Sequence, residues 1–258
     1  MDGAVGQLVR RERLILVVLL VMLTALSWLA MARMAAQAPS GVGRLPPCCA
    51  TFPLTFWMWV VMMAGMMTPS VAPMVLTHAA LVRRRVSLGK PYVASGLFLS
   101  GYLGAWTGFS LLAALAEWGM HHSSLLDPET LRVRPLAGAV VLVCAGAFQL
   151  SAVKDRCLSQ CRAPLGYFLT EWREGRWGAF LMGLRHGWSC IGCCWLLMVL
   201  LFAAGVMSLW WGAAITALVI AEKLLPWPRV VVWSGALLCF AGAGVLLVRA
   251  VVQEGTWN

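Results

Sequence analysis

Charge is what this sequence has least of. Only 12% of its 258 residues are Asp, Glu, Lys or Arg, against about 25% in an ordinary soluble domain. With 61% of the chain apolar and a mean hydropathy of +0.81, a soluble fold of this size could not hide its apolar surface. That excludes a soluble globular protein, a disordered chain and a small disulfide scaffold. Other absences narrow the function. The longest loops, at 33–53 and 154–176, are too short for a soluble domain. There is no phosphate-binding loop to drive transport with a nucleotide, and no internal repeat to support a transporter of two matching halves. No serine–histidine–acid triad or zinc-protease motif is apparent, which argues against a hydrolase. The net charge of +10 sits in short loops rather than in a basic domain, so nucleic acid is not an expected partner.

What is present is a series of uncharged runs: Leu14–Ala32, Leu54–Val82, Pro91–Ala116, Pro135–Val153, Gly187–Ala221 and Val230–Val248. Each is long enough to cross about 30 Å of hydrocarbon as a helix. Gly187–Ala221 would reach about 52 Å as one helix and is divided near Met207-Ser208. The expectation is an all-α, polytopic membrane helix bundle forming one domain over 1–258, with seven spans at about 14–33, 54–82, 91–117, 135–153, 177–206, 209–225 and 230–249. Arg10, Arg11 and Arg13 precede the first span. Lys and Arg then alternate from dense to sparse between successive loops, which predicts the N-terminus inside and the C-terminus outside. The first span also has features of a signal peptide, with a small-residue site at Ala36-Gln37-Ala38. Its apolar stretch exceeds the usual 7–15 residues and Pro39 follows, so a retained anchor is expected.

Two constellations carry soft-metal chemistry. In the second span, Met58, Met62, Met63, Met66 and Met67 precede Thr68-Pro69-Ser70 and Pro73. Thioethers suit Cu(I), and Met58, Met62 and Met66 share a face by their spacing; gap-filling packing is the competing reading. Pro69 and Pro73 cannot donate to the carbonyls four residues back, which predicts a polar break in the helix. The second constellation is Cys190, Cys193 and Cys194, on one face at i, i+3 and i+4, where three thiols suit Cu(I) or Zn(II). Cys157 and Cys161 form a further i, i+4 pair beside Lys154, Arg156 and Arg162, readable as a metal dock or a redox pair.

His78, two turns beyond Ser70, and Glu222, at the end of the longest uncharged run, complete the candidate ligands, with Met62, Met66 and Met67 chosen from the methionines. Lys223 or Arg185 is the expected partner of Glu222. His186 lies four residues before Cys190. On a straight helix Cys190 would be too deep to join Cys157 and Cys161; an interfacial or kinked segment over 177–189, with Gly183, Gly187 and Gly192 as the signal for a kink, would bring it to them. Cys48-Cys49 lies on the expected outer side, His121 and His122 in an outer loop, and Cys144 and Cys239 are expected to pack.

The order and spacing of Met66-Met67-Thr68-Pro69-Ser70 with Pro73, of Lys154, Cys157-Leu158, Cys161-Arg162 and Pro164, of Cys190, Gly192-Cys193-Cys194-Trp195 and Met198, and of Glu222-Lys223 resemble one bacterial domain-of-unknown-function family, described as predicted metal-binding integral membrane proteins. The resemblance covers about residues 55–225, with Gly65 where the family pattern has Ala. It implies a multi-pass protein of the bacterial inner membrane with a metal site. The expected function is handling of copper, with zinc second, by Met and Cys ligands, in transport or delivery to a membrane protein complex. A membrane thiol–disulfide oxidoreductase and an accessory subunit of a larger complex are the competing readings.

Overall fold

Helix formation without side-chain partners is expected wherever a long apolar run meets few charges, because a helix satisfies its own backbone in hydrocarbon. The computed structural model describes residues 2–36, 51–122, 135–206 and 208–255. Among them it has nine helices and no strand: α1 (Asp2–Ala36), α2 (Phe52–Ser87), α3 (Ser95–His122), α4 (Pro135–Gln149), α5 (Ala152–Arg162), α6 (Pro164–Glu171), α7 (Gly175–Ala204), α8 (Leu209–Leu224) and α9 (Pro228–Gly255). Cys48-Cys49, Gln37-Ala38 and Met207 lie outside the described residues, as do the side chains of His121 and His122.

Five helices, α1, α2, α3, α7 and α9, are long and apolar enough to cross a membrane. The bent pair α4–α5 makes a sixth if it counts as one span. The sixth expected span, 209–225, falls on α8, whose 16 residues reach only about 24 Å, short of about 30 Å of hydrocarbon. Leu14, Val18 and Leu26 on α1, and Leu237, Leu238 and Val248 on α9, face outward, the pattern of helices whose outer faces meet lipid rather than water.

One expectation about helix shape is overturned. α2 does not break at its prolines but runs unbroken through Pro69 and Pro73. The carbonyl of Gly65, which Pro69 cannot serve, instead accepts from Trp28 Nε1 at 3.3 Å. A neighbouring helix thus supplies the donor that the proline removes. α7 is likewise one unbroken helix from Gly175 to Ala204. The bend falls between α4 and α5, which turn by 63°. Ser151 caps α5 by accepting from Lys154 N at 3.2 Å, and Pro164 starts α6.

The most extensive packing is α3 on α7, followed by α4 on α9 and by α2 on α1 and α3. Small residues let α3 and α7 meet at their backbones. A Cβ on Gly183 would come within 1.9 Å of Phe98 O, and one on Gly101 within 2.0 Å of Phe180 O. Where α2, α3 and α8 meet α7, Ser70, Tyr102 and Lys223 gather around Cys190.

Candidate metal centre

α5 is short and polar for this protein, and it buries one stripe: Lys154, Leu158 and Cys161. The spacing i, i+4, i+7 places all three on one face, and that face rests on α7 and α8. Cys161 meets Cys190 and Cys193 of α7 there. Their three sulfurs all lie within 4.8 Å of one another, and all three residues are buried. The α4–α5 bend carries the α5 cysteine to the depth of Cys190.

The other atoms around Cys190 come from three helices. Lys223 Nζ of α8 donates to Cys190 Sγ at 2.9 Å and to Ser70 Oγ of α2 at 3.0 Å. Tyr102 Oη of α3 stands 3.2 Å from Cys190 Sγ and 3.4 Å from Met67 O. Ser70 donates in turn to Met67 O at 2.9 Å. The contact sets a cationic side chain against one of the sulfurs, and a thiolate is the form that binds metal. Cys194 is not one of the three mutually close sulfurs, but its thiol adjoins those of Cys190 and Cys193 and donates to Cys190 O at 2.9 Å. Cys193 makes a similar bond at 3.1 Å while staying within the trio. Cys157 is half-buried and lies against Gly192, where an added Cβ would meet its Sγ at 2.9 Å.

Glu222 belongs to a different constellation. Its partner is neither Lys223 nor Arg185. Lys154 Nζ donates to one carboxylate oxygen at 2.7 Å, and Gln149 Nε2 to the other at 2.8 Å. The side chains of Lys154 and Glu222 are 0% and 1% exposed, so the ion pair is dry. Arg162 adds bonds to the carbonyls of Glu222 and Leu225. With both oxygens engaged, Glu222 anchors α5 to α8 rather than facing the thiols. Arg185 pairs with Glu171.

His78 is also apart from the thiols. Its Nδ1 is 3.0 Å from Ser95 Oγ, and its ring stacks between Phe98 and Trp172, at 5.3 and 5.7 Å. His186, one turn before Cys190, stacks on Tyr102 at 5.8 Å and Phe98 at 6.0 Å, and its buried Nδ1 has no partner. Tyr167 donates to Met182 O at 2.6 Å, and burial pushes its phenol above the usual range. Met62, Met66 and Met67 are all buried. Met67 reaches the centre through its carbonyl, whereas Met62 faces α1 and the start of α8.

The sequence reading missed Lys223 as a contact of Cys190, and Tyr102 altogether. It also passed over Glu117, a buried carboxylate on α3 that accepts from Trp59 Nε1 at 2.6 Å. A single charge inside a long apolar run was the available signal for it.

Comparison with known proteins agrees with a soft-metal centre. The family model PpoB2, described as copper chaperone, matches residues 56–246. No curated protein matches the chain, and no solved structure does. The matched region contains α5, α7 and α8 in full, and with them every residue of the thiol centre.

Proposed function

The chain belongs to the PpoB2 copper chaperone family, and we propose that it is a membrane-resident chaperone that holds Cu(I) on Cys161, Cys190 and Cys193 and hands it to a partner protein. The observation that carries this is the convergence of three buried sulfurs from two helices within 4.8 Å. Soft thiolates select Cu(I). Three of them form a trigonal set, whereas a structural zinc site takes four ligands. Lys223 offsets part of the negative charge that three thiolates bring to a +1 ion.

Residence in the bacterial inner membrane and an N-terminus inside remain part of this proposal, with five long apolar helices, or six if the bent α4–α5 pair is one span, as the candidate crossings. The long apolar helices and the alternation of basic loops support them. Delivery rather than pumping suits a chain without a nucleotide-binding loop. Thiol–disulfide exchange with a partner needs a sulfur that the partner can reach, and Cys190 and Cys193 are sealed at 0% and 1% exposure. Cys161, at 8% the most exposed of the three, is the ligand placed to leave first.

The test is the copper content of protein purified in mild detergent without chelator, then challenged with a competing Cu(I) chelator. Wild type is expected to retain about one ion per chain, and Cys161→Ser/Cys190→Ser/Cys193→Ser none. Wild type that retains no copper, or a triple variant that retains as much as wild type, contradicts the assignment.

A further inference from the structure

We infer that the protein has a second soft-metal site, built from the thioethers of Met31 and Met34 on α1 and Met58 and Met62 on α2. These four side chains, with Val206, Ser208, Leu209 and Gly212, line one cavity of about 20 Å³. A cavity must offer about 10–15 Å³ to hold one water-sized sphere, so this one has room for a single ion. Spacings of i, i+3 on α1 and i, i+4 on α2 turn each pair to one face, and the two helices pack on each other.

Packing alone is a poor account of this arrangement. Methionine is the side chain that flexes to fill gaps, yet here four methionines surround a gap. They are half of the residues around it, in a chain with 14 methionines among 258 residues. Met31, Met58 and Met62 are buried and Met34 is half-buried, so the sulfurs are held inside the bundle rather than spread over a lipid-facing surface.

The site is distinct from the thiol centre. Ser70, which touches Lys223 at that centre, is eight residues beyond Met62 on α2, a rise of about 12 Å. Along α8, Gly212 and Lys223 are about 16 Å apart by the same rise. The cavity therefore lies where α1 and α7 end and α2 and α8 begin. Met66 and Met67 occupy the turn of α2 between the two sites. Met31 and Met34 fall outside the segment matched by the family model.

Four neutral thioethers bring no charge to compensate a dication, so the ligand class is a soft monovalent ion, Cu(I) or Ag(I). The inference rests on the copper-handling reading and adds a weaker holding point from which the thiols draw their ion.

The test counts Cu(I) bound without competing chelator, in detergent-solubilised full-length protein. Wild type is expected to bind two ions, and Met31→Leu/Met34→Leu/Met58→Leu/Met62→Leu one. The Met-to-Leu change conserves volume and is normally tolerated. Cys161→Ser/Cys190→Ser/Cys193→Ser should bind one ion with a thioether-only X-ray absorption shell, and Zn(II) should not compete for it. A Met variant that still binds two ions, or a wild type that binds one and loses it with the thiols, overturns the second site. Loss of the chelator-resistant ion from wild type would instead count against the thiol centre, so the two failures are separable. If the Cys variant does not fold, the comparison of wild type with the Met variant decides.

Discussion

Lys223 Nζ lies 2.9 Å from Cys190 Sγ, and no other cation contacts that sulfur among the described residues. The residue before it, Glu222, points to the opposite flank of α8 and holds Lys154 of α5. One dipeptide therefore both charges the centre and fixes the helix that completes it.

Replacing Lys223 with Met keeps its length and removes its charge. A hydrogen bond to a charged group contributes about 1.5–3 kcal/mol, so Cu(I) affinity at the thiol centre should fall by about tenfold to about a hundredfold. Chelator-competition titration measures this. An unchanged affinity would mean that Lys223 serves folding rather than the metal.

Glu222→Gln leaves the Lys154 ammonium buried without its counter-charge. Breaking a dry pair from one side costs about 3–5 kcal/mol, so thermal stability in detergent should drop markedly and the Cu(I) shell should lose Cys161. Lys154→Met/Glu222→Leu removes both charges and should recover most of the stability. A single variant as stable as wild type would refute the anchoring role.

The part of this centre that was legible in the sequence is the part written locally. Cys190 and Cys193 fall on one helical face by spacing alone, and Cys157 and Cys161 announce a second pair. Which cysteine of the α5 pair is used depends on how α5 folds back at Leu150–Ser151, and no local pattern specifies that. The prolines of α2 show the same limit. Their missing donors are plain in the sequence, but the Trp28 indole that replaces one of them comes from 37 residues away. Glu222 was conspicuous as a charge at the end of an apolar run. Its role was misread because Lys154, its partner, is 68 residues distant. The all-helical class was readable throughout from composition and uncharged length; the shortness of α8 was hidden by its continuity with the run that also forms α7.

Within the α5 cysteine pair the structure makes a sharp distinction. Cys161→Ser should remove one sulfur from the Cu(I) shell, whereas Cys157→Ser should leave the shell intact, because Cys157 lies against Gly192 outside the trio. X-ray absorption on the two single variants reads this directly. Equal effects would place both thiols on the metal.

The α3–α7 seam supplies a packing test. Gly183→Ala puts a methyl group 1.9 Å from Phe98 O, while a Cβ on Gly108 meets nothing within 4 Å. Overpacking costs about 1–3 kcal/mol or more, so Gly183→Ala should lower the melting temperature and Gly108→Ala should not. Indistinguishable variants would show that α3 and α7 do not approach this closely.

The central claim is that three thiolates from α5 and α7 share one Cu(I). It is tested most directly by copper K-edge X-ray absorption on protein loaded with one equivalent of Cu(I). A shell of three sulfurs that loses one sulfur in Cys161→Ser, and disappears in Cys161→Ser/Cys190→Ser/Cys193→Ser, is the predicted result. A shell of nitrogen or oxygen ligands, or one unchanged by those substitutions, would contradict it.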